Sequence, residues 1–131
     1  MKVCLDTNVV VSAVATRGLC GDLFQAILAE HELVLGATVL GELRTVLSRK
    51  MRVPRDTIQE LEAHLRGHAT VVKAATKRRI AGLDAADAAI IAVGARADVL
   101  VSGDQDLLKL ADPPVKIVSP RGLWGALRRA T

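Results

Sequence analysis

Residues 84–108, "DAADAAIIAVGARADVLVSGDQDLL", carry two patterns in series. From Asp84 to Ala97 small and apolar residues recur at helical spacing. Ala88, Ile91 and Ala95 continue the face that Asp84 and Asp87 head. Val99-Leu100-Val101 then reads as a strand, ended by Gly103 and followed by Asp104 and Asp106. A wholly apolar strand next to a helix implies burial on both sides. Such strands belong to parallel sheets with helices packed on each face.

The same alternation extends through the chain. Val3-Cys4-Leu5 is a strand, and Asp6 interrupts an apolar run that Val9, Val10 and Val11 resume. Gly21 to Glu30 reads as a helix, with Leu23, Phe24, Ile27 and Leu28 inward and Asp22 as a cap near its start. Leu33-Val34-Leu35 is a strand ended by Gly36. Thr38 is placed to cap a helix reaching about Lys50, with Val39, Leu43, Val46 and Leu47 on its apolar face. Pro54 opens a more polar helix to about His68, and Val71-Val72 is a short strand. A short helix from Asp106 to Ala111, a strand from Val115 to Val118 and a helix from Leu123 to Arg129 complete the pattern. The expected fold is α/β, a three-layer sandwich with a parallel sheet of four to five strands covered by helices on both faces. A chain of 131 residues is expected to form a single domain over residues 1–131.

Composition narrows the function. Half the residues are apolar, with one Phe, one Trp and no Tyr. The core is therefore aliphatic, and the aromatic platforms of single-strand-binding modules are missing. The net charge is +4, from 18 Lys and Arg against 14 Asp and Glu, which is compatible with a nucleic-acid partner. The cations bunch at Arg44 to Arg55 and at Lys73 to Arg79, and such bunches also occur as plain solvated helix surface. Cys4, inside an apolar strand, is expected to be a buried free thiol. Two cysteines without repeated spacing fit a reducing cytoplasm better than a disulfide framework. No apolar stretch approaches the roughly 20 residues needed to span a bilayer, so no membrane association is expected.

The carboxylates are the chemically informative residues. Asp6 and Asp104 each follow a strand at its carboxyl end, where open parallel sheets bind ligands if the strands flank the point of order reversal. Asp84 and Asp87 share one helix face and repel unless a cation lies between them; they also read as an N-cap and a first-turn acid. Glu42 lies about 40° from Val46 on the margin of its helix's apolar face, a position that also suits a solvated glutamate. With Asp106 near Asp104, these acids form an oxygen-only donor set, suited to Mg²⁺ or Mn²⁺. His31, His64 and His68 lie in polar stretches without cysteine partners, which disfavours zinc.

"DTNVVVSA" (6–13), "LGELRTVL" (40–47) and the 84–108 stretch resemble, in order and spacing, the acidic motifs of the PIN-domain nucleases. Within that family the chain is similar to the VapC-type toxins of bacterial and archaeal toxin–antitoxin pairs. The resemblance assigns the catalytic acids to Asp6, Glu42, Asp87 and Asp104, with Asp84 and Asp106 as additional metal ligands. Where many such toxins have a lysine and a bulky residue after the acid pair, this chain has Ala88, Ala89 and Ile90.

The resemblance implies Mg²⁺- or Mn²⁺-dependent hydrolysis of RNA phosphodiester bonds, a small antitoxin protein as partner, and a homodimer. Lys73, Lys77, Arg78 and Arg79 are candidate contacts to RNA phosphates. The alternative is a non-catalytic PIN-fold binding domain that uses its acids for metal or partner contact. A haloacid-dehalogenase-type phosphatase would need a second Asp two residues after the first, where this chain has Asn8.

Overall fold

The apolar triplets of the sequence form the centre of the sheet. Val3, Cys4 and Leu5 are 0%, 0% and 1% exposed, and Val99, Leu100 and Val101 are likewise buried, as strands covered on both faces must be. The computed structural model describes residues 1–73 and 84–129. Its elements are β1 (Lys2–Leu5), α1 (Thr7–Ala15), α2 (Leu19–Glu30), β2 (Glu32–Gly36), α3 (Ala37–Thr45), a π-helical turn (Val46–Lys50) and α4 (Arg55–His68). They continue with β3 (Ala69–Val72), α5 (Ala85–Gly94), β4 (Val99–Val101), α6 (Gln105–Leu108), β5 (Lys116–Val118) and α7 (Pro120–Arg129).

The five strands are ordered β3-β2-β1-β4-β5, and every pairing is parallel. The chain builds outward from β1 to β3 on one side and then returns to add β4 and β5 on the other. Strand order therefore reverses between β1 and β4, which pair with Leu5 opposite Val101. Right-handed crossovers place α1 to α4 on one face and α5 and α6 on the other. Accordingly α5 packs on β1, β2 and β4, while α2 and α3 pack on β2 and α7 packs on α2. This is the expected α/β sandwich, with five strands.

Several local expectations change. The valines after Asp6 resume the apolar run as helix α1, which buries Val9 and Val10; tertiary burial overrides the low helix propensity of valine. Helix α2 starts at Leu19, with Gly18 as N-cap at φ 141°, a backbone conformation suited to glycine. Asp22 is thus a first-turn acid rather than the cap, and α1 meets α2 at 100°. Gly36, not Thr38, is the N-cap of α3. The helix expected to reach Lys50 stops at Thr45 and continues as the π turn, where Met51 N–H donates to Val46 O at 3.2 Å. Cys4 is buried and Cys20 half-buried, and both are free thiols. Burial, and secondarily the charge of Asp6, pushes the Cys4 thiol up to about 12. Among the described residues no single helix is long and apolar enough to cross a membrane.

Candidate metal centre

Position in the sheet answers why a carboxylate follows each of the two central strands. Asp6 is the first residue beyond β1, and its N–H donates to Val101 O at 3.0 Å, extending the ladder to β4. One carboxylate oxygen, Oδ1, accepts from Thr7 N–H at 2.8 Å, so Asp6 also caps α1. The other, Oδ2, accepts from Ser102 Oγ at 2.9 Å. Ser102 is 0% exposed, and its Oγ accepts in turn from Asp104 N–H at 3.0 Å. One buried hydroxyl thereby ties the ends of β1 and β4 together and fixes two acids relative to each other. A buried hydroxyl with both roles filled is strongly held, because losing either partner would leave a polar group unsatisfied.

Helix α3 brings Glu42 to the same place. Its Oε2 accepts from the buried Thr7 hydroxyl at 3.1 Å. Asp87 comes from the first turn of α5, on the opposite face of the sheet. Together Asp6, Glu42, Asp87 and Asp104 line one cleft of about 170 Å³, with Thr7, Asn8, Gly36 and Thr38 among its other walls. Asp87 is half-buried, and its carboxyl is held above the usual carboxylate range. Burial is the main cause, followed by the charges of Asp84, Asp104, Asp6 and Asp106. The charges of the other acids therefore reach Asp87, even where they do not touch it.

The two additional acids stand at its margin. Asp84 is the N-cap of α5, with Oδ1 accepting from Asp87 N–H at 2.8 Å. Asp106 lies in the first turn of α6, where its N–H donates to Asp104 Oδ1 at 2.9 Å. Neither lines the cleft. Lys73 is exposed just beyond β3, while Lys77, Arg78 and Arg79 lie outside the described residues. His64 and His68 are exposed on α4 with rings 4.4 Å apart, remote in sequence from every cleft acid.

The donor set fits a hard divalent cation: four carboxylates, no nitrogen or sulfur, and room for water. Among the described residues no three acids, histidines or cysteines close into a compact ligand cage. Mutual repulsion spreads like charges that share an open cleft, and the hydroxyls of Ser102 and Thr7 hold Asp6 and Glu42 in place. Ser102 and Thr7 are residues of the candidate site that sequence reasoning left without a role. Their signal was a polar residue just past a buried strand and close to a motif acid, Thr7 next to Asp6 and Ser102 two residues before Asp104.

The PIN domain family model matches residues 2–106. No curated protein matches the chain. Among solved structures, the chain is similar to VapBC2 from Rickettsia felis, crystallised bound to a DNA fragment from the promoter of its genes, at a TM-score of 0.64 and 15% identity. That likeness covers 91% of this chain and 98% of the other, and it extends the shared fold beyond the family match. On the family match over most of its length, the chain belongs to the PIN domain family.

Proposed function

We propose that the protein is a metal-dependent endoribonuclease, a hydrolase acting on RNA phosphodiester bonds as the toxin of a toxin–antitoxin pair. The observation that carries this reading is the convergence of Asp6, Glu42, Asp87 and Asp104 on one cleft at the point where strand order reverses. Asp6 and Asp104 are the core of the proposed ligand set, held in register by Ser102. Glu42 and Asp87 close it from the two faces of the sheet, with Asp84 and Asp106 adding negative charge from the margin.

A divalent cation, Mg²⁺ or Mn²⁺, would supply an activated water and offset charge on the leaving oxygen. The side chains do the positioning. Thr7 orients Glu42 and Ser102 orients Asp6, and Asn8 and Thr38, which line the cleft, are proposed to donate hydrogen bonds to a phosphodiester. No side chain has to serve as nucleophile. Lys73, Lys77, Arg78 and Arg79 are proposed to meet RNA phosphates. A small antitoxin, a homodimeric state and a cytoplasmic location follow from the toxin reading, which the VapBC-like fold supports.

The test is cleavage of defined RNAs by the purified protein with Mn²⁺ and with chelator. Cleavage is expected with Mn²⁺ only. Asp6→Asn preserves the α1 cap but removes a negative ligand, and should lower the rate by at least ~100-fold. Equal cleavage by Asp6→Asn, or cleavage in chelator, would refute the metal centre.

A further inference from the structure

A phosphodiester approaching four carboxylates meets repulsion before it meets a cation. Binding energy for a polyanion must then come from positive charge elsewhere on the surface. Residues 44–55 hold five cations, Arg44, Arg49, Lys50, Arg52 and Arg55, and no acid. The structure gathers them at the elbow where the π turn joins α3 to α4. Arg44 is ion-paired with Glu62, which also pairs with Arg66. Arg49, Lys50, Arg52 and Arg55 have no ion-pair partner among the described residues.

All five are exposed. Arg44 and Arg55 line a cleft of about 470 Å³, walled by Ser48 and Gln59 as polar groups, by Val53 and Ile58 as apolar ones, and by Glu62, the acid that Arg44 pairs with. Met51, at the bend, is 44% exposed, one of two large hydrophobic side chains so exposed among the described residues. Arg52 has φ 53°, and the bend is held by Val53 N–H donating to Leu47 O at 2.9 Å. The elbow is thus a projection of five cations, four of them without an ion-pair partner among the described residues. Helix α3 links the two sites, carrying Glu42 in the carboxylate cleft and, two residues later on its other side, Arg44 in the elbow cleft.

Resting on the nuclease reading, we propose that this elbow is a backbone-binding surface for single-stranded RNA. Arg49, Lys50, Arg52 and Arg55 would meet successive phosphates leading to the carboxylate cleft. A single strand suits the carboxylate cleft because α3 and α5 wall it on two sides. With few aromatic residues to stack on, recognition there rests on phosphate charge, so it must be strongly salt-dependent.

The experiment is fluorescence anisotropy with a short labelled oligouridine across about 50 to 200 mM salt. The protein carries Asp6→Asn, so that the probe stays intact. The elbow variant adds Arg49→Gln, Lys50→Gln and Arg52→Asn, Asn being tolerant of positive φ. Loss of three phosphate contacts should reduce the slope of log Kd against log salt by about 2, and weaken binding at low salt by ~10-fold or more. A matched variant with Arg49→Lys and Arg52→Lys keeps the charge and should bind like the parent, which separates lost charge from misfolding. An unchanged slope and affinity overturn the proposal, as does failure of the parent to bind the probe. Retained RNA binding with loss of binding to a polyglutamate peptide also overturns it, by assigning the elbow to an acidic protein partner. Cleavage is a separate readout: a parent that binds RNA through the elbow while the wild type cuts nothing would refute the nuclease reading and leave the elbow standing.

Discussion

Asp87 is the residue where burial and like charge act together, and its raised carboxyl range follows from both. An acid whose folded pKa lies above its unfolded value contributes stability below the unfolded pKa, and loses it as pH rises through the folded one. In metal-free protein, ionised Asp87 therefore destabilises the fold at neutral pH. Asp87→Asn should melt higher than wild type at pH 7, with the advantage shrinking as pH is lowered through the carboxylate range. Thermal melts in chelator across that range check it; a gap that widens in acid would contradict the repulsion described here. At this scale much of the site was legible. All four cleft acids were marked by their places beside strand ends or on helix faces. Ser102 was not, because a serine after an apolar strand looks like a strand terminator until the neighbouring strand brings Asp6 to its hydroxyl.

The helix α5 shows how one element serves both stability and the site. Asp84 satisfies the Asp87 amide, while a turn of small residues lets the helix approach the sheet. A Cβ added to Gly94 would lie 3.2 Å from Leu100 Cβ. Asp84→Ala should cost about 1 kcal/mol from the lost cap and leave substantial metal binding, since Asp84 stands outside the cleft. A melting-temperature drop with the Mn²⁺ response intact is the expected result; loss of that response would make Asp84 a ligand. Elements such as α5 and β4 were readable because periodicity and an apolar triplet agree. The π turn was not, since Val39, Leu43, Val46 and Leu47 keep their apolar spacing whether the helix continues or widens by one residue. Helix α1 was hidden for a different reason. Three consecutive valines carry a strand's local preference, and only the cap at Asp6 and burial against the sheet make them helical.

For the molecule as a whole, strand order 3-2-1-4-5 decides where chemistry can occur. It brings together the ends of β1 and β4, whose paired residues Leu5 and Val101 are 96 positions apart, and opens a cleft between helices of opposite faces. The sequence displays the alternation that demands such a sheet, but strand order emerges only from packing. Convergence of the acids was therefore conditional until β1 and β4 were seen to pair. The resulting field is divided, with a carboxylate cleft at the switch point and a cationic elbow at the far end of α3. The central claim is that those carboxylates form one divalent-cation site. The most direct test is Mn²⁺ binding by the purified chain, read from loss of the free-ion electron paramagnetic resonance signal. Wild type should bind Mn²⁺, and Asp87→Ala should weaken that binding by at least ~10-fold, on the scale of disrupted metal ligation. No binding by wild type at millimolar Mn²⁺, or equal binding by the variant, would contradict it.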